Sequence, residues 1–133
     1  MELSEAFVAI PLAAICCDSH FDREEARVLQ DQLRHRAPYR DMAPLDLAQL
    51  IDGLLRGFRS DRWEELLAEA VPALTPQQQE TAFALAVQLI HSDRVVQPEE
   101  ARFLEQIAEH LTVPRERIAT ILEVFGLLSR DAL

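Results

Sequence analysis

Two short stretches of the chain carry carboxylates at a spacing that suits a divalent cation. The first contains Asp18, Asp22 and Glu25, and the second contains Asp93 and Glu100. Carboxylate oxygens are the ligands that calcium and magnesium prefer in proteins. The spacing in the first stretch is too short for an EF-hand loop. The sequence therefore presents these five carboxylates as a candidate divalent-cation site, stronger at the first stretch than at the second.

The same carboxylates also have an explanation that needs no metal. Asp22 before a predicted helix and Glu25 three residues later form a capping-box pattern, and Gln97 replaces the aspartate in the second stretch. Asp18 and Asp93 follow the end of a helix, where the helix dipole disfavours a negative charge. The free amides at the start of the next helix can bind such a carboxylate. Cation ligands and helix caps are both open interpretations of these residues.

Both acidic stretches belong to a longer internal repeat. Residues 7–33 and 82–108 align at a constant offset of 75 positions without a gap. Apolar positions keep the same register, with Val8 on Phe83, Ile10 on Leu85, Ile15 on Ile90 and Leu29 on Leu104. A single offset over this length predicts a duplication, with a pseudo-twofold axis relating the two acidic turns.

The elements that position these turns are predicted to be helices. Apolar residues recur at helical spacing, and no stretch alternates convincingly with period two. We predict one all-α domain, 1–133, of about seven helices, in which halves 3–36 and 76–111 are linked by helices within 44–74 and followed by a helix over 114–129. Ser60, Thr75 and Thr112 are predicted to cap the fourth, fifth and seventh helices, and Leu74 to lie along the fourth.

Two of these helices are apolar nearly all round. They span about 3–17, with Pro11 predicted to introduce a kink, and 76–91. Because they occupy equivalent positions in the repeat, we expect them to pack against each other at the centre. The other helices would then surround this pair.

Composition narrows the classes of function. The chain has 133 residues, enough for one compact domain, and a formal net charge of −10, which repels nucleic acid. The longest apolar run, residues 6–17, is too short to cross a bilayer. The first residues lack the positive charge of an export signal, so we expect a cytoplasmic protein without a membrane span.

Sulfur and imidazole groups suggest a second kind of site. Cys16, Cys17 and His20 lie together, and His91 aligns with Cys16 in the repeat. These residues would suit a soft metal or thiol redox chemistry. Adjacent cysteines at the end of a buried helix are more often small core residues, and the sequence has no CxxC motif.

The doubled pattern of an apolar helix, an aspartate turn and a Glu-Glu helix start resembles the TerB-like domain of tellurite-resistance proteins. The matching segments are LAAICCDSHFDREE at 12–25 and LIHSDRVVQPEE at 89–100, with Ser19 and Arg94 where the family usually has glycine. The resemblance implies an all-helical, non-enzymatic domain of stress-response or membrane-associated systems, with divalent metal expected at its acidic turns. TerB-like domains also occur beside co-chaperone modules.

We therefore expect a cytoplasmic binding or adaptor protein whose partner is another protein, in a membrane-associated system or elsewhere. In the alternative, it is purely an interaction or co-chaperone-like module whose acidic residues act only as caps. A metal-dependent enzyme is a third hypothesis, without a nucleophile elbow or phosphate loop to support it. A homodimer through the last helix is a further expectation, because Val124, Leu127 and Leu128 broaden its apolar face.

Overall fold

The described part of the chain is built from seven α-helices, three short 3₁₀ turns and no strand, which confirms the predicted fold class. The computed structural model describes residues 1–16, 23–60, 62–93 and 96–133, without the side chains of residues 23 and 93. The helices are α1 (Leu3–Ile15), α2 (Arg23–Leu33), α3 (Pro44–Arg59), α4 (Trp63–Ala70), α5 (Pro76–Ile90), α6 (Pro98–His110) and α7 (Arg115–Leu128).

Helices α1 and α5 form the centre of the fold, as the sequence predicts. They pack on each other more extensively than any other pair of elements. Every residue from Ala6 to Ile15 is buried, and so is most of α5 from Ala82 to Ile90. Pro11 lies inside α1 and is itself buried. Segments this apolar are stable only when covered on several sides, and over residues 81–90 of α5 the exposed side chains are those of Thr81 and Gln88.

The remaining helices surround this pair. Helices α3, α4 and α6 contact α1, whereas α7 packs mainly on α5. Trp63 of α4 joins α6 through its indole ring, whose centroid lies 4.8 Å from that of Phe103 and 5.5 Å from that of His110. Aromatic pairs in this range add about 0.5–1.5 kcal/mol beyond their buried area. The single tryptophan of the chain thus sits at a helix interface, where its fluorescence will report unfolding.

Helix α3 approaches α4 closely at Gly57. A Cβ atom at this position would lie 2.7 Å from Leu66 Cδ1. Because this atom is the end of a flexible side chain, an alanine at position 57 requires the Leu66 side chain to shift.

The helix starts are predicted correctly in some places and wrongly in others. Thr75 caps α5, with its Oγ1 accepting from the Gln78 amide and the Gln78 side chain accepting from the Thr75 amide. Ser60 does not cap α4, because its hydroxyl donates to the Arg56 carbonyl at the end of α3. Helix α3 continues to Arg59, and α4 begins only at Trp63. A serine hydroxyl bonds a preceding carbonyl as readily as a following amide.

Helix α4 also ends earlier than predicted. It stops at Ala70, and a 3₁₀ turn over Val71–Ala73 follows, so Leu74 lies beyond the helix. Pro72 explains the stop, because its nitrogen has no hydrogen to donate and its ring clashes with the carbonyl one turn earlier.

Buried Gln79 ties three parts of the chain together. Its Nε2 donates to the carbonyls of Val71 and Leu74, each at 3.2 Å. Its Oε1 accepts from the backbone N–H of Thr112 at 2.8 Å and from the Thr112 hydroxyl at 3.1 Å. Thr112 therefore bonds to α5 instead of capping α7, whose N-cap position is Pro114. One side chain holds the segments before α5 and before α7 in place.

Replacing Gln79 by alanine is expected to lower the free energy of unfolding by about 2–4 kcal/mol, because it removes all four hydrogen bonds that this buried side chain makes. Urea unfolding followed by Trp63 fluorescence measures the change. Gln88→Ala on the exposed side of the same helix is the control and should cost no more than about 0.5 kcal/mol. Equal effects of the two substitutions would show that Gln79 is not a structural clamp.

Candidate functional site

The second acidic turn contains a helix cap. Gln97 is the N-cap residue of α6, and Pro98 occupies the first helical position. The Glu100 carboxylate accepts a hydrogen bond from the Gln97 backbone N–H at 3.0 Å. This contact satisfies a donor at the start of the helix and places a negative charge at the positive end of the dipole. The geometry of Glu100 thus agrees with the capping interpretation.

Three of the five predicted ligands lie outside the described part of the chain. They are Asp18, Asp22 and the side chain of Asp93, whose backbone belongs to the 3₁₀ turn His91–Asp93 that follows α5. Glu25 lies partly buried in the first turn of α2. The geometry that brings the two acidic turns together is therefore not defined by the described residues, and the cation site stays a prediction.

Sulfur and imidazole groups form no ligand cluster among the residues that are described. No three His, Cys, Asp or Glu side chains converge there on one point. Cys16 is half-buried just after α1, whereas Cys17 and His20 lie outside the described ranges. The Nδ1 atom of His91 lies 2.9 Å from the Val87 carbonyl of its own helix, to which it donates. The His91 ring faces Phe125 of α7, with a centroid distance of 6.1 Å.

Helix α7 presents apolar side chains to solvent. Ile118 is its one buried residue, whereas Val124, Leu127 and Leu128 are 46%, 48% and 68% exposed. We refer to these three residues as the α7 stripe. They lie at helical spacing on one side of the helix, so they form a continuous apolar surface. Scattered exposed leucines need no explanation, but a contiguous group marks a candidate interaction site.

A groove of about 300 Å³ adjoins the α7 stripe. It lies between α2, α5 and the end of α7, and Leu128 belongs to both the groove and the stripe. Its apolar lining is Val28, Leu89, Phe125 and Leu128, and the other lining side chains, apart from His91, are uncharged amides and hydroxyls. A groove with this lining suits apolar side chains of a partner rather than a charged group.

Sequence patterns identify the stripe but not the groove. Val124, Leu127 and Leu128 extend the apolar periodicity of α7 beyond what one buried face needs. This extension can be read directly from the sequence. The groove depends on how closely α2 approaches α7 across α5, and no local pattern encodes that distance.

The chain matches no family model, no curated protein and no solved structure. In the described part of the chain, no helix is both long enough and apolar enough to pass through a bilayer.

Replacing Glu100 by glutamine distinguishes a cap from a metal ligand, because the amide oxygen still accepts the Gln97 N–H but carries no charge. As a cap, Glu100→Gln should cost at most about 1 kcal/mol. Calcium, magnesium, manganese and zinc should leave the thermal midpoint of the metal-stripped protein unchanged in both forms. Thermal unfolding with each ion in turn measures both effects.

The matched control is Glu99→Gln, one residue earlier on the exposed side of α6. A midpoint that rises to saturation with one ion in the native chain, and no longer does so in Glu100→Gln, would contradict the capping assignment. The same titration of Asp18→Asn extends the test to the first acidic turn.

Proposed function

We propose that the chain is a cytoplasmic, non-enzymatic binding or adaptor protein of TerB type, and that it docks a helix of a partner protein on α7. The observation that supports this proposal is the exposed α7 stripe beside the α2–α5–α7 groove. An isolated apolar stripe gives a partner only apolar surface to bury. A stripe that leads into a groove also gives it a place to insert an anchoring side chain.

An amphipathic helix fits this surface. Leu128 lies at the junction, so a partner helix along the stripe could insert one apolar side chain between Val28 and Phe125. Burying a leucine-sized side chain in this way contributes roughly 1.5–3 kcal/mol. Helix-in-groove recognition of this kind uses anchors at positions i, i+3, i+4 and i+7 of the partner.

The net charge of the chain indicates which charge the polar side chains of the partner carry. The net charge of −10 attracts a basic protein and raises its association rate at low salt. It also disfavours a second copy of the same chain, since two strongly acidic molecules repel. We therefore assign the surface to a basic amphipathic helix of another protein rather than to a homodimer.

A labelled synthetic helix tests the proposal. The probe has leucines at positions i, i+3, i+4 and i+7 and arginines elsewhere, and fluorescence anisotropy measures its affinity. We expect Leu128→Asp to weaken binding by about tenfold or more, the equivalent of about 1.4 kcal/mol of lost apolar contact. Added salt should weaken the affinity of the native chain further.

Leu45→Asp is the matched control, because Leu45 on α3 is 66% exposed, almost as much as Leu128, and the substitution adds the same charge. It should change the affinity by no more than about twofold. A peptide of the same composition whose leucines do not share a face should bind weakly. Equal binding of the two peptides, or equal losses in the two variants, would reject docking at α7.

Sedimentation equilibrium over a range of concentrations tests the alternative occupant. The expected result is a monomer at all concentrations. A dimer that Leu128→Asp dissociates would assign the stripe to self-association instead and overturn the proposed heterotypic partner.

A further inference from the structure

A second cavity lies on another side of the molecule, where the start of α1, the segment after α2 and the start of α5 meet. It has a volume of about 340 Å³, within the range of small-molecule sites. Leu3, Phe7, Pro38 and Tyr39 supply apolar walls, and Arg36 lines it beside the polar side chains of Gln77, Gln78 and Thr81. We name it the Arg36 pocket.

The charge of this pocket is opposite to that of the chain. Among the described residues, Arg36 is its one charged lining side chain, and no carboxylate lines it. Three acids close in sequence to lining residues have other surroundings: Glu2 and Glu5, before and in α1, line a different depression beside α3, and Glu80 of α5 pairs with Arg117 at 2.6 Å. A positive site without a carboxylate in its described lining stands out in a molecule with a net charge of −10.

Arg36 is held in position without a carboxylate partner. Its guanidinium carbon lies 5.7 Å from the centroid of the Phe7 ring, a cation–π contact that restrains the side chain. Its Nε is buried and has no hydrogen-bond acceptor within the described ranges. No ion pair to Arg36 occurs there either. Since the Nε–H has no acceptor and the side chain has no ion-pair partner among the described residues, the positive charge of this half-buried arginine is available to an anion from outside the protein.

The surrounding backbone is fixed. Tyr39 is buried, and its hydroxyl donates to the Ser4 carbonyl at 2.6 Å, which attaches the segment after α2 to the start of α1. Burial raises the pKa of Tyr39, against a smaller lowering by Arg36, so the hydroxyl keeps its proton and continues to donate. The walls are therefore positioned before any ligand binds, which lowers the entropic cost of binding.

The start of α5 adds a favourable potential. Gln77 and Gln78 belong to the first turn of this helix, the positive end of its dipole. The side-chain NH₂ groups of Gln77 and Gln78 are further donors beside the guanidinium, whereas the Thr81 hydroxyl already donates to the Gln77 carbonyl. The apolar walls, by contrast, offer nothing to a fully hydrated ion such as phosphate.

We propose that the Arg36 pocket binds a small organic carboxylate with an apolar body. The carboxylate contacts the Arg36 guanidinium, and the apolar body lies against Leu3, Phe7 and Pro38. This site is separate from the α7 docking surface, so each can be disproved without the other.

Octanoate is the probe, with octanamide as its neutral counterpart and inorganic phosphate as an anion without an apolar body. Titrations followed by ¹H–¹⁵N NMR give the affinities and show which amides respond. We expect octanoate to bind about tenfold or more tightly than either control compound and to shift amides of residues 36, 37, 39 and 77–81. Arg36→Gln should weaken octanoate binding by about tenfold, whereas Arg102→Gln on the exposed side of α6 should leave it unchanged.

A second pair of variants keeps Arg36 and its contact with Phe7 intact. Thr81 is exposed at the pocket, so Thr81→Glu introduces a repelling carboxylate and Thr81→Gln is its neutral match. We expect Thr81→Glu alone to weaken octanoate binding. Equal affinity for octanoate and octanamide, equal affinity for phosphate, equal effects of the two Thr81 variants, or no binding would each overturn the proposal.

Discussion

Packing of α1 on α5 is the interaction on which the rest of the molecule depends. Both helices contain long apolar segments, and together they hold fully buried residues such as Val8, Ile10 and Phe83. Truncating a buried residue of this size typically costs about 2–5 kcal/mol. Helices α3 and α4 pack on α1, α7 packs on α5 and α6 contacts both, so their positions follow from the pair. Gln79 connects this central pair to the surrounding chain, because its side chain hydrogen-bonds the segments that precede α5 and α7.

Because the core is concentrated in two helices, the outer helices keep apolar surface that the core does not bury. Helix α7 buries Ile118 and packs Ile121, Leu122 and Phe125 partly against the core, and its stripe remains in water beside a groove that α2 and α5 complete. At another side of the fold, the starts of α1 and α5 and the segment after α2 line the Arg36 pocket. Both proposed sites therefore lie where peripheral segments meet the central pair. The central helix pair makes these sites rigid, and the peripheral segments add side chains that contact a partner or ligand.

Sequence patterns predict what depends on local spacing. The apolar runs of α1 and α5 and the Thr75–Pro76 start of α5 are examples, and the two helices pack as expected. Ser60 and Thr112 are mispredicted as caps because a hydroxyl has several backbone partners within reach, and the partner of Thr112 is a glutamine 33 positions away. No sequence motif marks Arg36, since the residues around it come from three separate segments. The cap at Glu100 follows from its spacing to Gln97, whereas the cation hypothesis depends on side chains outside the described ranges.

Native-state hydrogen exchange measures the free energy at which each helix opens, so it tests whether the packing of α1 on α5 stabilises the whole fold. If α1 and α5 hold the fold together, their amides will be the slowest to exchange and will open only with global unfolding. Helix α7, with one buried residue, will open at a lower free energy. Amides of α7 as protected as those of α5, or local opening of α1 below the global value, would contradict this account.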